Sequence, residues 1–295
     1  MSRTYITDGS LRISGDRIAS DDSAGVIQID GRGILVDTAQ GVNILANRIF
    51  ANKKSAAYLA TQKPLMIIRQ EKDSIYIAAD TLFSARITDL YKGNDSLLKK
   101  LNLKEKDSTN RYFEAYRHVR VFSDSMQSVS DSLFYTFKDS TFELYQNPVV
   151  WSRKSQITGD TIFLYTKNKK ASRVRVYLNS FMVNQVEPGV YNQIKSVRID
   201  GHFVNGTIDS VRARGDAESI YFMQDNDSAF TSVNQTKSDL IDALFRDGEI
   251  HKVVFRRDLK GTVHPISQKP PNTAKLNGFQ WMEARRPKTK YELFD

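Results

Sequence analysis

The 295-residue chain has no cysteine, which removes disulfides, thiol nucleophiles and every thiolate metal site at once. The compartment stays open, because a stack of sheets can be stable without covalent staples in either redox environment. Long apolar runs are also missing. The longest are five residues, at 56–60 and 75–79, far short of the roughly 20 that a membrane-spanning helix needs. The opening residues carry no apolar core of a signal peptide. The first recognisable repeat already begins by Gly15, which leaves little room for a terminal cap, so an upstream part of the protein is expected.

Catalytic signatures are equally sparse. The four histidines, His118, His202, His251 and His264, include no pair at three- or four-residue spacing, so neither a metal site nor a general base has local support. Gly31-Arg32-Gly33 lacks the third glycine and the following helix of a dinucleotide fingerprint. A phosphate-binding loop and a glycine-serine-glycine nucleophile elbow are both absent. Recurring aspartates remain as carboxylate pairs for acid and base work, but their regular placement fits turn caps or bonds to a neighbouring backbone better. No catalytic residue, metal ligand or cofactor is assigned.

What the chain has in excess is positive charge and internal echo. The formal charge is +9 and the pI is near 9.5, which calls for an anionic partner such as nucleic acid, membrane phosphate or acidic glycolipid. Nine Lys or Arg against four Asp or Glu lie between Arg256 and Asp295; the bland reading is a solvated basic surface.

Five residues recur: Ala46-Asn47-Arg48-Ile49-Phe50, Ala79-Asp80-Thr81-Leu82-Phe83, Ser130-Asp131-Ser132-Leu133-Phe134 and Gly159-Asp160-Thr161-Ile162-Phe163, with a fainter Gly15-Asp16-Arg17-Ile18-Ala19. The intervals are 31, 33, 51 and 29 residues, and a lysine-rich insertion near 92–111 accounts for the long one. Such a period marks stacked supersecondary units, each completed by its neighbours. Pro64 follows Asn47, and Pro148 follows Asp131, by 17 residues, and each opens an apolar strand, a position where proline costs no ladder bond.

Strand signals dominate the rest: alternating, β-branched and aromatic runs separated by turn-forming clusters such as Lys138-Asp139-Ser140, Lys167-Asn168-Lys169 and Asp247-Gly248, about fifteen short strands in all. Val211–Ala213 and Ser219–Met223 read as two of them. Only Asp95–Lys106 has helical apolar spacing, and reads as a short helix or loop inserted between repeats. The expected organisation is an all-β repeated array over 1–266 and a proline-containing linker with a basic segment over 267–295.

Alternation places template position four, with position six, on one face, and the phenylalanines on the other. The position-four face is expected inward. A sheet folded over without closing would then leave an apolar trough lined by Leu82, Leu133, Tyr135, Ile162, Leu164, Val174 and Val176; the alternative is a filled solenoid core. Arg173, Arg175, Arg212 and Arg214, paired by Arg-x-Arg spacing on one face of their strands, are candidates to contact phosphates at the rim. The competing reading is an exposed sheet face balanced by nearby Asp and Glu.

Several stretches resemble one family. Asp131–Tyr135, Asn147–Trp151 followed by Ile157–Ile162, Gly215–Phe222 and the closing Leu276–Pro287, in this order and spacing, resemble the OstA-like proteins of Bacteroidetes. These are relatives of the periplasmic lipopolysaccharide-transport component and of the N-terminal domain of its outer-membrane partner. The resemblance implies an elongated, V-shaped β-jellyroll, a β-taco, whose interior shields the acyl chains of lipopolysaccharide or a related glycolipid. It implies a periplasmic location and no enzymatic step. It further implies partners in other OstA-like domains or the outer-membrane translocon, met by edge-strand stacking that could also give homo-oligomers, and no nucleic acid. The alternative function is a structural or adhesive β-solenoid with a closed core.

Overall fold

A computed structural model describes residues 4–39, 41–69, 74–103, 107, 110–167 and 170–294. Parts of the 92–111 insertion and of the 167–169 turn lie outside the described residues. The protein is nearly all β, with 21 strands, every described ladder antiparallel, and two short helices among the described residues. It divides into two compact units.

The first unit comprises Met1–Asp124, Val129–Leu144 and Pro287–Asp295. Its strands begin with β1 (Thr4–Asp8), β2 (Leu11–Gly15), β3 (Arg17–Asp21), β4 (Val26–Asp37) and β5 (Val42–Asn52). They continue with β6 (Ala57–Thr61), β7 (Leu65–Ile68), β8 (Ile75–Ala78) and β9 (Thr81–Ala85). Helices α1 (Ile87–Leu90) and α2 (Asp95–Leu101) precede β10 (Tyr112–Phe122), β11 (Gln127–Thr136) and β12 (Thr141–Tyr145), the last two crossing the boundary of the unit.

Each long strand pairs with two short ones in succession. β4 meets β3 along Val26–Asp30 and β2 along Ile34–Asp37; β5 meets β7 and then β6; β10 meets β9 and then β8. The long strands therefore cross from one half-sheet to another at a common fold line. On one half-sheet the register aligns Ile29, Ile49, Ala60, Leu82 and Ala115. On the other it aligns Ile13, Leu35, Ile44, Met66, Ile77 and Val121. All are buried, and each full-sized aliphatic among them contributes roughly 1.5–3 kcal/mol through removal from water.

The repeated pentapeptide sits on this fold line, and its chemistry explains its composition. The backbone N–H of Asp16 donates to the Gly31 carbonyl (2.9 Å), Asn47 to Gln62 (3.1 Å), Asp80 to Arg117 (3.0 Å) and, in the second unit, Asp160 to Leu178 (3.1 Å). The accepting strand bends there through consecutive left-handed residues: Gly31-Arg32, Gln62-Lys63, Arg117-His118 and Leu178-Asn179. For a residue other than glycine this conformation costs roughly 1–2 kcal/mol. Bonds from the aspartate side chains offset it: the Asp16 carboxylate accepts from Arg32 Nε (3.0 Å), that of Asp160 from Asn179 Nδ2 (3.0 Å), and that of Asp80 faces His118 Nδ1 (3.1 Å). A small first residue is required because space inside the corner is short; a Cβ on Gly159 would lie 2.3 Å from Val176 Cγ1. Antiparallel neighbours present the donor and the bulge alternately, so the donor recurs every second strand, which is the period near 30 residues.

The second unit comprises Ser125–Ser128 and Tyr145–Arg286. It contains β13 (Val149–Ser152), β14 (Ser155–Thr158), β15 (Thr161–Lys167), β16 (Lys170–Glu187) and β17 (Val190–Val204). β18 (Thr207–Gln224), β19 (Phe230–Arg246), β20 (Glu249–Arg256) and β21 (Lys260–Pro265) complete it. Here β16 to β19 run unbroken through the corner, with register shifts at Tyr177/Ser180, Lys195/Arg198 and Arg214/Ala217 marking the bend. The two strands expected at Val211–Ala213 and Ser219–Met223 are therefore one strand, β18, bent at Gly215-Asp216.

The insertion and the last segment both cover outer faces. Asn94 caps α2 by accepting from the Leu97 N–H, and Asn102 ends it in a left-handed turn. Leu101 and Leu103, together with Phe83 and Phe134, then pack against the buried Ala85, Ile87 and Tyr112 of the first unit. In the second unit, Ala274, Leu276, Phe279 and Trp281 pack on the outer Phe181, Val183, Ile220 and Phe222. The residues expected to form a linker are thus part of the packing.

Candidate ligand-binding interior

Each unit buries an apolar face between its half-sheets, and the residues expected to line a trough are buried there. In the second unit Ile162, Val176, Ile199, Ala213 and Ile241 form one inner row, and Leu164, Val174, Gly201, Val211 and Ala243 the next. Ile162, Leu164, Val174 and Val176 are each no more than 1% exposed. In the first unit Leu82 belongs to the inner row. Leu133 and Tyr135 are also buried, in sequence alternation with Phe134, which stacks on the outer Tyr112 at 5.7 Å. Tyr135 packs against Phe137 and Phe142, and burial pushes its phenol pKa up.

The first interior is narrow. Leu35, Asp37, Val42, Ile44 and Met66 from one side and Tyr58, Ser84, Arg111 and Phe137 from the other leave a cavity of about 10 Å³, close to the room one water needs. Arg111 shares this surface with the polar Asp37 and Ser84: its guanidinium donates to the Ala56 carbonyl and to Ser84 Oγ, both at 2.9 Å, and lies 4.6 Å over the Tyr58 ring. In the second unit the inner face becomes polar towards the open ends of the strands. Asn184 Nδ2 donates to the Gly248 carbonyl (3.1 Å) and the Tyr221 hydroxyl to that of Ile250 (3.4 Å), tying the half-sheets together.

The four arginines expected at a rim stand in the middle of the sheet on its outer face. Arg173 Nη2 and Arg175 Nε each reach Asp200 at 3.0 Å, Arg198 joins them at 2.9 Å, and Arg214 lies at 3.8 Å. Arg212 and Arg256 share Asp242. Six guanidinium groups thus surround two carboxylates. Burial alone would raise the Asp200 pKa, but hydrogen bonds from Arg198, Arg175 and Arg173 outweigh it and hold the carboxyl well below the ordinary range. Asp242 is lowered chiefly by its bond from Arg212, against the opposing effect of burial. Phe163, Tyr165 and Tyr177 flank this face, with Arg173 over Tyr165 and Arg198 over Tyr177.

Sequence reasoning missed both carboxylates, although a signal existed. Ser196-Val197-Arg198-Ile199-Asp200 and Ser238-Asp239-Leu240-Ile241-Asp242 are degenerate copies of the template, each ending in aspartate in place of phenylalanine, with Val197 for the second-position Asp or Asn in one and Leu240 for the third-position polar residue in the other. They occupy the same corner, where the Asp239 N–H donates to the Arg257 carbonyl. Arg111 was missed because a lone arginine before a strand has no distinguishing pattern.

No family model matches the chain, and no curated protein matches it. Among solved structures it is similar to LptH from Pseudomonas aeruginosa, described as the LptA-homologous periplasmic component of the conserved lipopolysaccharide transport device. The similarity is 11% in identity with a TM-score of 0.34, over 46% of this chain and 82% of that one.

Proposed function

We propose that the chain is a non-catalytic carrier of an acylated glycolipid such as lipopolysaccharide in outer-membrane biogenesis on the periplasmic side, with acyl chains held between the half-sheets. The observation that supports this is the pair of apolar inner rows that the half-sheets of each unit bury between them. Each acyl methylene moved from water into that space contributes roughly 0.8 kcal/mol, so a multiply acylated guest needs few specific polar contacts. The fold-line aspartates make corner bonds, which accounts for their recurrence without a chemical step.

Edges left open support stacking with like domains or a translocon as the mode of partnership. Among the described residues β3 pairs only with β4, and β21 only with β19, and an unpaired edge is a template for another strand. One observation favours the second reading, a structural solenoid with a closed core: the first interior retains only about 10 Å³.

Lipid extracted from the purified protein and identified by mass spectrometry separates the two, together with photo-crosslinkers incorporated at Leu133, Leu164 and, as an outer control, Lys99. Carriage requires bound glycolipid and labelling at the first two positions alone. Equal labelling at all three, or no glycolipid even after incubation with it, selects the closed core. Light scattering on the same preparations reads the edge stacking as particle size.

A further inference from the structure

The first interior contains a cation with no carboxylate in contact. Arg111 is 8% exposed, and among the described residues no carboxylate lies within 4.0 Å of it. Among the described residues only two of the five N–H donors of an arginine find protein acceptors, both neutral: the Ala56 carbonyl and the Ser84 hydroxyl. Asp37 lines the same cavity and acts on Arg111 at longer range, while Arg86 adds a second positive charge nearby. Desolvation pushes the guanidinium pKa down and outweighs the opposing effect of Tyr58 and the more distant Asp37, the direction expected when a cation is buried with no carboxylate in contact.

Stability does not account for such a residue. A buried charge lacking a close partner is costly, and an apolar side chain of similar volume would fill the space at lower cost. The neighbours Leu35, Val42, Ile44, Met66 and Phe137 are suited to an acyl chain. We infer that the first interior binds an anionic amphiphile, its chain among these residues and its phosphate or carboxylate head against the unbonded donors of Arg111. The inference rests on the acyl-carriage reading and adds to it the charge of the head and the residue that reads it. Charge-assisted hydrogen bonds to a guanidinium are the strong kind, and Tyr58 beneath the plane keeps the guanidinium oriented. Asp37 opposes the binding of a small free anion, which would meet its repulsion without the gain from chain burial.

The test uses the full chain and two fluorescent probes of equal chain length, cis-parinarate and its uncharged methyl ester. Arg111→Met should bind parinarate roughly 10- to 100-fold more weakly than the wild type, leave the ester unchanged, and unfold at a urea midpoint no lower than the wild type. Arg111→Lys, which keeps the charge but not the fork of donors, should fall between. Parinarate affinity unchanged in Arg111→Met, or the same loss for both probes, overturns the headgroup site while leaving carriage standing. If neither probe binds the wild type, carriage fails and this site with it. Competition by inorganic phosphate beyond that of chloride at matched ionic strength would overturn the amphiphile in favour of a free anion.

Discussion

Replacing Asp200 by asparagine keeps the shape of the side chain and removes the charge around which four arginines are arranged. Breaking a buried ion pair costs about 3–5 kcal/mol. The carboxylate is only 5% exposed, but the arginine side chains are 23–51% exposed, so water screens much of the uncovered repulsion and the expected loss falls to about 2 kcal/mol. With a urea dependence of about 2 kcal/mol per molar, the midpoint should drop by about 1 M. The assay is selective, because both tryptophans of the chain, Trp151 and Trp281, lie in the second unit. Their fluorescence follows the unit that contains Asp200.

The same variant carries a pH signature. The folded Asp200 carboxyl lies below its ordinary range, so in the unfolded chain it takes up a proton first, near pH 4, as pH falls. Its contribution is therefore fully present above about pH 4 and is lost progressively as the pH drops below that value towards the folded pKa. Wild type and Asp200→Asn should differ by a constant amount from neutral pH down to about pH 5 and converge under more acidic conditions. An unchanged midpoint at neutral pH, or a gap that closes between pH 6 and 8, would refute the view that this carboxylate organises the arginine face.

Two further outcomes follow from the corner and the covering segment. Leu178→Gly relieves a left-handed backbone (φ +59) at an exposed side chain, and should raise the tryptophan-detected midpoint by an amount equivalent to about 1 kcal/mol; a lower midpoint would show that the leucine makes a contact worth more than the strain. Gln193→Ala removes the two bonds that clamp the last segment, Nε2 to the Ala274 carbonyl (2.9 Å) and the Leu276 N–H to Oε1 (2.8 Å), at about 2 kcal/mol. Acrylamide should then quench Trp281 more readily while Trp151 is unaffected, and unaltered quenching of both would mean that apolar packing alone holds the segment.

The pattern of the strands was legible because burial here follows alternation. Ile49, Leu82, Leu133 and Ile162 share a template position and are all buried, while the phenylalanine after each is half-exposed. Pro64 and Pro148 correctly announced Leu65–Ile68 and Val149–Ser152. The number of strands was overestimated locally and underestimated overall, because a bend between two left-handed residues looks in sequence like a turn between two strands. The placement of the arginines could not be read. Arg-x-Arg spacing fixes which face they share, but not whether that face is a rim or the middle of a sheet; that depends on the partners Asp200 and Asp242, which are distant in sequence. Arg111 depends likewise on Ala56 and Ser84, 55 and 27 residues away.

Whether a narrow interior can accept a guest depends on what the guest replaces. Separating the half-sheets exchanges contacts between apolar side chains for contacts between side chains and an acyl chain, two environments with little difference in transfer free energy. The gain is the removal of the chain itself from water, roughly 10 kcal/mol for a dozen methylenes. Against it stand the bonds across the opening, Asn184 to Gly248 and Tyr221 to Ile250 in the second unit, at roughly 1 kcal/mol each, and whatever strain the fold line resists with. At the fold line, paired left-handed residues and aspartate anchors fix the crossing of the strands, while the open ends of the second unit are held by these few bonds. Half-sheets held in this way would part from their open ends without losing register at the corner.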